Sequence, residues 1–413
     1  MATLKPFKAF RPKPEFAAEV AAKPYDVLNS DEARKEVQGH PLSFLHVGKP
    51  EIDLDPSIDH YDAKVYLKGK ENLQQLISKE ILLQDSEPYF YIYAQTMNGN
   101  TQYGIVGCAS VEEYWNDTIK KHELTRKDKE EDRCNHVRVT NAHTGPIFLT
   151  YPDNTEINSL VAELVTQKPE NDHTASDGVR HQSWVIKEKR IIEKLQTLFG
   201  SVKNFYVADG HHRSAAAAIV GKERAKANPH HKGDEEYNYF LAVCFPANQL
   251  RIMDYNRVVK DLNGLTKEEF FAKCKENFTI TKSQIPVHPN EKGEFGVYIE
   301  GEWFTMEADE TLLDQSDPVE NLDVAILQRY VLESILGIKD IRTDKRIDFV
   351  GGIRGLSELE KRVNSGEMKL AFSMFPTSIH ELISIADAGK IMPPKSTWFE
   401  PKLRDGLFIH FLD

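Results

Sequence analysis

The sequence has few cysteines, no long apolar run and no excess of basic residues. Four cysteines occur in 413 residues and none form a CxxC pair, so neither a disulfide framework nor a structural zinc cluster is expected. No apolar stretch approaches the roughly 20 residues of a membrane helix, and no apolar run follows the N-terminal lysines as it would in a signal peptide. We therefore expect a cytoplasmic protein without membrane contact.

Charge and missing motifs exclude further classes of protein. The 52 Lys and Arg residues against 64 Asp and Glu give a net charge of −12, which disfavours a nucleic-acid partner, because such binding relies on cations that replace counterions around phosphates. No HExxH and no GxSxG occurs, so a zinc protease or an α/β-hydrolase is not indicated. Lys395, Ser396 and Thr397 resemble the end of a P-loop, but Pro393-Pro394 stands where its glycines would be.

The order of apolar and polar residues predicts a mixed α/β fold. Extended segments such as 89–95, 146–151 and 239–245 alternate with segments of helical periodicity, among them 111–123. The length favours two domains, which we predict at residues 1–255 and 256–413. The second would be an α/β domain that includes the closing Pro-Pro-Lys-Ser-Thr tail.

One segment, DGHHR at residues 209–213, carries the main candidate site. Residues 204–208 read as a buried strand, Asp209 and Gly210 break it, and the small residues 214–218 favour a helix from His211. The first turn of such a helix presents backbone N–H groups and the positive end of its dipole, which together attract anions. Arg213 adds a planar donor fork suited to phosphate, and His211 or His212 could move a proton near neutral pH.

The role of Asp209 stays open. It could be only a helix cap with two surface histidines behind it, or it could orient one imidazole or bind a metal. A second glycine turn at 351–355 follows a predicted strand, but its spacing is not GxGxxG, so tight packing is favoured over anion binding there.

The string Ala208–Arg213 resembles the signature of the ParB/sulfiredoxin-like superfamily in the variant seen in free serine kinases. The whole chain is identified as a member of the domain-of-unknown-function 1015 family by strings spread over nearly its full length. They are Phe10–Pro14, Pro24–Val27, Ser43–Val47, Lys49–Glu51, His122–Thr125, Gly145–Leu149, His181 with Trp184–Ile186, Met392–Thr397 and Pro401–Leu403.

This resemblance implies a ParB/sulfiredoxin-like catalytic core and a kinase for free L-serine, with ATP or ADP as donor and Mg²⁺ as cofactor. It implies that Gly210, His211, His212 and Arg213 bind the phosphates, that Asp209 lies by the transferred group or the metal, and that His211 is catalytic. The general base is an acidic residue nearer the N-terminus. Asp26, in a rigid Pro-Tyr-Asp turn, is our first candidate and Glu51 the second, although a turn-forming role explains Asp26 equally well.

Other residues enter as secondary candidates from the same resemblance. Lys395, Ser396 and Thr397 are candidate phosphate ligands, and the candidate substrate ligands are Glu51, His122, Glu123, Arg133 and His181. The partners expected are the substrate, the nucleotide and a second copy of the chain in a homodimer. The reaction could run from serine to O-phosphoserine or in reverse. Alternatives are a phosphoserine phosphatase or other phosphohydrolase, and a ParB-like nucleotide-gated binding protein without kinase activity.

Overall fold

A computed structural model of the protein describes residues 1–313 and 316–413. The chain alternates between helix and strand, so the predicted mixed α/β fold is confirmed. The strands are β1 (Leu4–Lys5), β2 (Phe10–Pro12), β3 (Leu82–Gln84), β4 (Phe90–Met97), β5 (Asn100–Ser110), β6 (Ile119–Lys120), β7 (Ala142–His143), β8 (Ile147–Tyr151), β9 (Asn171–Thr174), β10 (Arg180–Ile186), β11 (Phe205–Asp209), β12 (Tyr239–Pro246), β13 (Ile252–Met253), β14 (Tyr255–Val259), β15 (Phe278–Ser283), β16 (Glu294–Ile299), β17 (Glu302–Ala308), β18 (Ile347–Gly351), β19 (Leu370–Met374), β20 (Trp398–Phe399) and β21 (His410–Phe411).

The helices range from single turns to seventeen residues. They are α1 (Ala17–Val20), α2 (Ser30–Glu36), α3 (Leu45–Gly48), α4 (Ala63–Ser78), α5 (Val111–Trp115), α6 (Lys127–Thr140), α7 (Thr155–Leu164), α8 (Lys189–Phe199), α9 (His211–Ala227), α10 (Lys267–Cys274), α11 (Glu310–Leu313), α12 (Asp323–Leu327), α13 (Leu356–Asn364) and α14 (Ile379–Asp387). Short 3₁₀ segments lie at Pro14–Phe16, Pro50–Asp53, Glu236–Asn238, Ala247–Gln249 and Gly352–Arg354, and a π-helical turn spans Gln328–Glu333. Within residues 1–313 and 316–413, no helix has the length and apolarity to cross a bilayer.

The chain forms two compact units. Unit 1 contains residues 1–121, 125–250 and 401–413, and unit 2 contains residues 122–124 and 251–400. The last thirteen residues therefore pack in the same unit as the N-terminal half. The predicted domain boundary at 255/256 stays a prediction.

Unit 1 is built on a nine-stranded mixed sheet with the order β6-β11-β8-β12-β5-β4-β10-β9, to which β1 adds by pairing with β5. Among the described residues of this sheet, the pairs β6/β11 and β8/β12 are parallel and the other pairs are antiparallel. The central strands β4, β5, β8 and β12 are almost fully buried and rich in aromatic and β-branched residues, as strands covered on both faces are. This sheet holds β11, and therefore the DGHHR segment, one strand from an edge.

Unit 2 is built on a six-stranded antiparallel sheet with the order β15-β17-β16-β19-β14-β18. A separate apolar core lies under it, formed by β14 to β19 with α10, α12 and the π-helical turn that follows α12. The two units thus have their own sheets and their own cores.

The helix predicted over 111–123 is wrong beyond its first turn. Helix α5 ends at Trp115, Asp117 adopts a left-handed φ of 61°, and residues 119–120 pair in parallel with β11. The Asn116 carboxamide accepts a hydrogen bond from the Thr118 N–H at 3.1 Å, a local side-chain bond that competes with the helix. Sheet pairing therefore overrides helical periodicity in this segment.

The four cysteines are free and buried. Burial raises the pKa of each thiol, so these side chains act as small apolar groups in the cores.

Candidate functional site

The DGHHR segment forms the predicted strand, turn and helix. Strand β11 ends at Asp209, Gly210 adopts a left-handed φ of 92°, and α9 begins at His211. A side chain at this φ would be strained, which explains the glycine. The cap residue of α9 is Gly210 rather than Asp209, because the Asp209 carboxylate accepts a hydrogen bond from the adjacent Gly210 N–H at 3.0 Å instead of from the first helical turn.

Small residues let α9 pack closely. Residues 214–218 of α9 are all buried, and the Ala216 face contacts α6 through Cys134 and Val137. Further along, a methyl group at Gly221 would lie 2.4 Å from the Tyr237 carbonyl oxygen. The helix is therefore fixed against the sheet and α6 along its length, which holds its N-terminus in one position.

Asp209 is an ionised and partly exposed carboxylate. Lys402 lies 3.4 Å from its Oδ2 atom, Arg213 lies 3.9 Å from the same atom, and the side chain is 29% exposed. Burial acts to raise its pKa, but the charges of Lys402 and Arg213 outweigh burial and lower the pKa of Asp209 to about 2. This group therefore carries a negative charge at any physiological pH.

The two histidines of the turn have different surroundings. His211 is only 6% exposed, and burial lowers its pKa to about 4 against the opposing charge of Asp209, so its imidazole is neutral. His212 is partly exposed, and its Nε2 atom accepts a hydrogen bond from the Arg126 backbone N–H at 3.0 Å. Their predicted roles at phosphate stay predictions, but each ring is held by its packing or by this bond.

Arg213 connects the turn to a narrow pocket on its other side. Its Nη1 atom donates to the Pro146 carbonyl at 2.7 Å and lies 3.7 Å from the Asp405 carboxylate, and its Nε atom is buried without a hydrogen-bond partner among the described residues. Burial acts to lower its pKa, but Asp405, Asp26 and Asp209 raise it above the usual value. The guanidinium is therefore a permanent cation between acidic groups.

We call this pocket the Arg133 pocket. Unit 1 supplies its lining from α3, α6, β7 and β8, α9 and the C-terminal tail: Tyr25, Gly48, Arg133, His136, Val137, His143, Thr144, Gly145, Ile147, Arg213, Ala216 and Asp405.

Arg133 is held on several sides in this pocket. Its guanidinium pairs with Asp132 at 2.7 Å, donates to the Gly48 carbonyl at 3.4 Å and stacks 3.9 Å from the Tyr25 ring. Burial acts to lower the pKa of Arg133, but the neighbouring Asp132 and Tyr25 raise it above the usual value. The group is therefore charged and rigidly oriented, as a binding arginine is.

The carboxyl group of Asp405 enters the pocket from the C-terminal tail. The tail is positioned by paired backbone hydrogen bonds of 3.1 and 2.9 Å between Ala22 and Asp405. Gly145 makes room for this carboxyl group, because a methyl group there would lie 2.3 Å from its Oδ1 atom. Burial raises the pKa of Asp405 to about 7, although Arg213 opposes the shift.

The two candidate bases differ in accessibility. Asp26 is exposed in a turn closed by a hydrogen bond from the Val27 N–H to the Pro24 carbonyl, and its charge reaches Arg213 and Asp405. Glu51 is buried, and its Oε1 atom accepts from Ser30 at 2.9 Å and pairs with Lys49 at 3.1 Å.

The remaining predicted residues have structural contacts of their own. Both ring nitrogens of His181 are engaged, by the Tyr93 hydroxyl at 2.7 Å and by Arg404 at 3.2 Å, and burial lowers its pKa to about 3. His122 and Glu123 belong to unit 2, where the His122 carbonyl accepts from the Met392 N–H at 2.8 Å.

The Lys395–Thr397 segment also lies in unit 2. The Lys395 carbonyl accepts from the buried Arg257 at 3.0 Å, and the Ser396 hydroxyl donates to the Pro393 carbonyl at 2.6 Å. Lys395 itself has a left-handed φ of 60°. The phosphate-binding role of the Lys395–Thr397 segment stays a prediction.

Sequence reasoning missed Lys402, Asp405 and His143. Lys402 lies inside the family string Pro401–Leu403 and Asp405 follows it, which is a usable signal, but that string falls in the predicted C-terminal domain. His143 lies in a two-residue strand that no periodicity reveals.

Comparison with known proteins shows which family the chain belongs to. The family model described as "Protein of unknown function (DUF1015)" matches residues 4–325. The chain belongs to this family. No sequence among the curated proteins matches the chain significantly.

Three solved structures resemble the chain at low sequence identity. A conserved hypothetical protein from Pyrococcus furiosus is 15% identical, with a TM-score of 0.37, over 75% of this chain and 95% of that one. A free serine kinase in complex with AMP is 14% identical, with a TM-score of 0.38, over 74% of this chain and 91% of that one. C-terminally truncated SbnI from Staphylococcus aureus is 12% identical, with a TM-score of 0.38, over 74% and 87%.

Proposed function

We propose that this protein is a cytoplasmic, nucleotide-dependent phosphotransferase that acts on a small hydroxylated metabolite, free L-serine before others, with ATP or ADP as donor and Mg²⁺ as cofactor. The observation that carries the proposal is the DGHHR turn. There a rigid helix begins beside two cations, Arg213 and Lys402, and an ionised carboxylate, Asp209. Phosphoryl transfer asks a protein mainly for positioning and for positive charge around the moving group.

The phosphates of the donor would bind at the start of α9. The first N–H groups of an α-helix have no acceptor within the helix and point along its axis, so they suit phosphate oxygens. Lys402 lies 3.4 Å from Asp209, is 16% exposed and adds a positive charge at this turn. Lys402 is paired with Asp209, and Mg²⁺ would replace Lys402 as the partner of this carboxylate when the nucleotide binds.

The donor set fits Mg²⁺. This ion is usually held by one or two carboxylates together with substrate phosphates and water. Asp209 is ionised and partly exposed, so it is available as such a ligand. The ion would neutralise charge on the transferred phosphoryl group.

Asp26 is the better candidate for the general base. A base must come within hydrogen-bond reach of the substrate hydroxyl, and Asp26 is exposed beside the Arg133 pocket. The buried and doubly bonded Glu51 is better suited to fixing Lys49 and Ser30 in place. His122, Glu123 and Lys395 belong to unit 2 and stay candidates as the sequence predicts, as does a homodimer partner.

The first test is mass-spectrometric detection of O-phosphoserine after the purified protein is mixed with L-serine, Mg²⁺ and ATP or ADP, and of serine after the reverse reaction from O-phosphoserine. The variants are Asp209→Asn and Asp26→Asn. The matched control is His230→Ala, because His230 is an exposed histidine that donates its backbone N–H to Asn228 Oδ1, a bond that the substitution keeps.

Product that requires nucleotide, disappears in Asp209→Asn and persists in His230→Ala would support the proposal. Phosphate release from O-phosphoserine without nucleotide would instead select a phosphohydrolase. Absence of turnover in both directions would contradict the serine assignment.

A further inference from the structure

Two buried histidines lie side by side on the short ribbon of β7 and β21. His143 and His410 are directly paired across the antiparallel strands, and their rings stack with centroids 5.4 Å apart. Their Nδ1 atoms approach to 3.2 Å, and both residues are at most 5% exposed. Direct cross-strand pairing holds such rings in one relative orientation.

The far side of His410 is anchored by a carboxylate. Its Nε2 atom lies 2.8 Å from Oε2 of Glu236, and Oε1 of Glu236 pairs with Lys5 at 3.1 Å. Burial acts to raise the pKa of Glu236, but the contacts with His410 and Lys5 lower it, so the carboxylate is ionised. An ionised carboxylate only accepts hydrogen bonds, so the proton between these two groups lies on His410 Nε2.

This anchor fixes the proton positions along the pair. Burial lowers the pKa of His410 and places that of His143 well below its usual value, so both rings are neutral. A neutral His410 with its proton on Nε2 has a lone pair on Nδ1, and the 3.2 Å contact then requires a proton on His143 Nδ1. The Nε2 atom of His143 is left as an acceptor.

The Arg133 pocket contains two buried acceptor atoms that receive no hydrogen bond from the described residues. His143 Nε2 and Asp405 Oδ1 are both buried without a hydrogen-bond partner among the described residues, and both side chains line the Arg133 pocket. The cation nearest Asp405 Oδ1 is Arg213 Nη1 at 3.7 Å, beyond hydrogen-bond distance. Two buried acceptors without donors are costly, which points to a donor-rich group in the ligand.

We propose that His143 Nε2 and Asp405 Oδ1 form an ammonium subsite, which binds the protonated primary amine of the substrate. The substrate class is then hydroxylated amines and amino acids. This inference rests on the proposed function, which gives the substrate its hydroxyl group. The amine is inferred from the subsite alone. An ammonium group has three donors, which is enough for both acceptors and one further partner.

Burial keeps the pKa of Asp405 at about 7, and a bound ammonium group would lower it, so binding favours the ionised carboxylate. The competing occupant of the subsite is an ordered water molecule, which the binding test must distinguish.

The proton assignment is tested by ¹⁵N NMR of histidine-labelled protein at neutral pH, with the His143 signals assigned from their loss in His143→Asn. The inference expects a protonated Nδ1 and an unprotonated Nε2. In Glu236→Gln the carboxamide can also donate to His410, so the reverse tautomer should become populated. A protonated His143 Nε2 in the unmodified protein would overturn the inference.

The subsite is tested by calorimetric titration with L-serine, ethanolamine and 3-hydroxypropionate, the last of which is serine without its amine. We expect 3-hydroxypropionate to bind roughly 10- to 100-fold more weakly than serine, as the loss of hydrogen bonds to a charged group implies. His143→Asn and Asp405→Asn should weaken serine and ethanolamine but leave 3-hydroxypropionate unchanged.

The outcomes separate this inference from the proposed function. Amine-dependent binding without any O-phosphoserine formation would keep the subsite and remove the serine kinase assignment. Equal binding of serine and 3-hydroxypropionate, or binding of none of the three, would overturn the subsite. Thermal unfolding of both variants serves as the folding control. Glu236 lies outside the pocket, so the serine affinity of Glu236→Gln tests the proton assignment of His143 without a change to the pocket lining.

Discussion

Replacing Asp405 by Asn should change how the stability of unit 1 depends on pH. Asp405 is 5% exposed, and burial raises its pKa from 3.8 to about 7 against the opposing effect of Arg213. The unfolded chain releases this proton above about pH 4, whereas the folded protein retains it until about pH 7. The folded state therefore binds more protons in this window, and stability from this group is lost as the pH rises.

The magnitude follows from the size of the shift. About three pKa units at 1.36 kcal/mol each correspond to a loss of about 4 kcal/mol across the window. Asn cannot ionise, so Asp405→Asn escapes this loss. The stability of the variant relative to the unmodified protein should thus rise by about 4 kcal/mol between pH 4 and pH 7 and stay constant above that range.

Hydrogen exchange of the β7 and β21 amides, followed by mass spectrometry at several pH values, measures this difference in the relevant unit. Asp31→Asn is the control, because the Asp31 side chain is 88% exposed. If the difference between Asp405→Asn and the unmodified protein does not change with pH, Asp405 is kept ionised by its arginine neighbours, and the reasoning is refuted.

Three further substitutions test the site. Gly145→Ala places a methyl group 2.3 Å from the Asp405 Oδ1 atom, so it should displace that carboxyl group and abolish serine binding in calorimetry, whereas unchanged affinity would contradict its placement. Gly210→Ala puts a side chain at a φ of 92° and should lower the free energy of unfolding by about 1–2 kcal/mol in urea titrations. Lys402→Met removes the main charge that lowers the pKa of Asp209, so that pKa should rise from about 2 in a ¹³C-carboxyl NMR titration; no rise would mean that the pair at 3.4 Å is not formed in solution.

The sequence predicts the local part of the site well. An apolar strand, a glycine turn and a run of alanines lie within fifteen residues, so local rules suffice to place β11, Gly210 and α9. The segment 111–123 shows the limit of such rules. Its helical periodicity is overridden by parallel pairing of residues 119–120 with β11, and that pairing depends on residues far along the chain.

The rest of the site depends on contacts between distant parts of the chain. Asp405 reaches the Arg133 pocket because it pairs with Ala22, and His143 meets His410 across strands of two residues each. Neither contact leaves a periodic pattern in the sequence. The terminal Pro401–Leu403 string signalled that the tail matters, but not that it folds back into unit 1.

The central claim is direct phosphoryl transfer at the DGHHR turn, and the most direct test is an isotope experiment. The protein is incubated with L-serine, Mg²⁺ and ATP labelled with ¹⁸O in its terminal phosphoryl group, and in parallel with ADP labelled in the same way. The account predicts O-phosphoserine that carries the labelled oxygens, formed by the unmodified protein and by His230→Ala but not by Asp209→Asn. Unlabelled product, no product, or labelled product in undiminished amount from Asp209→Asn would contradict it.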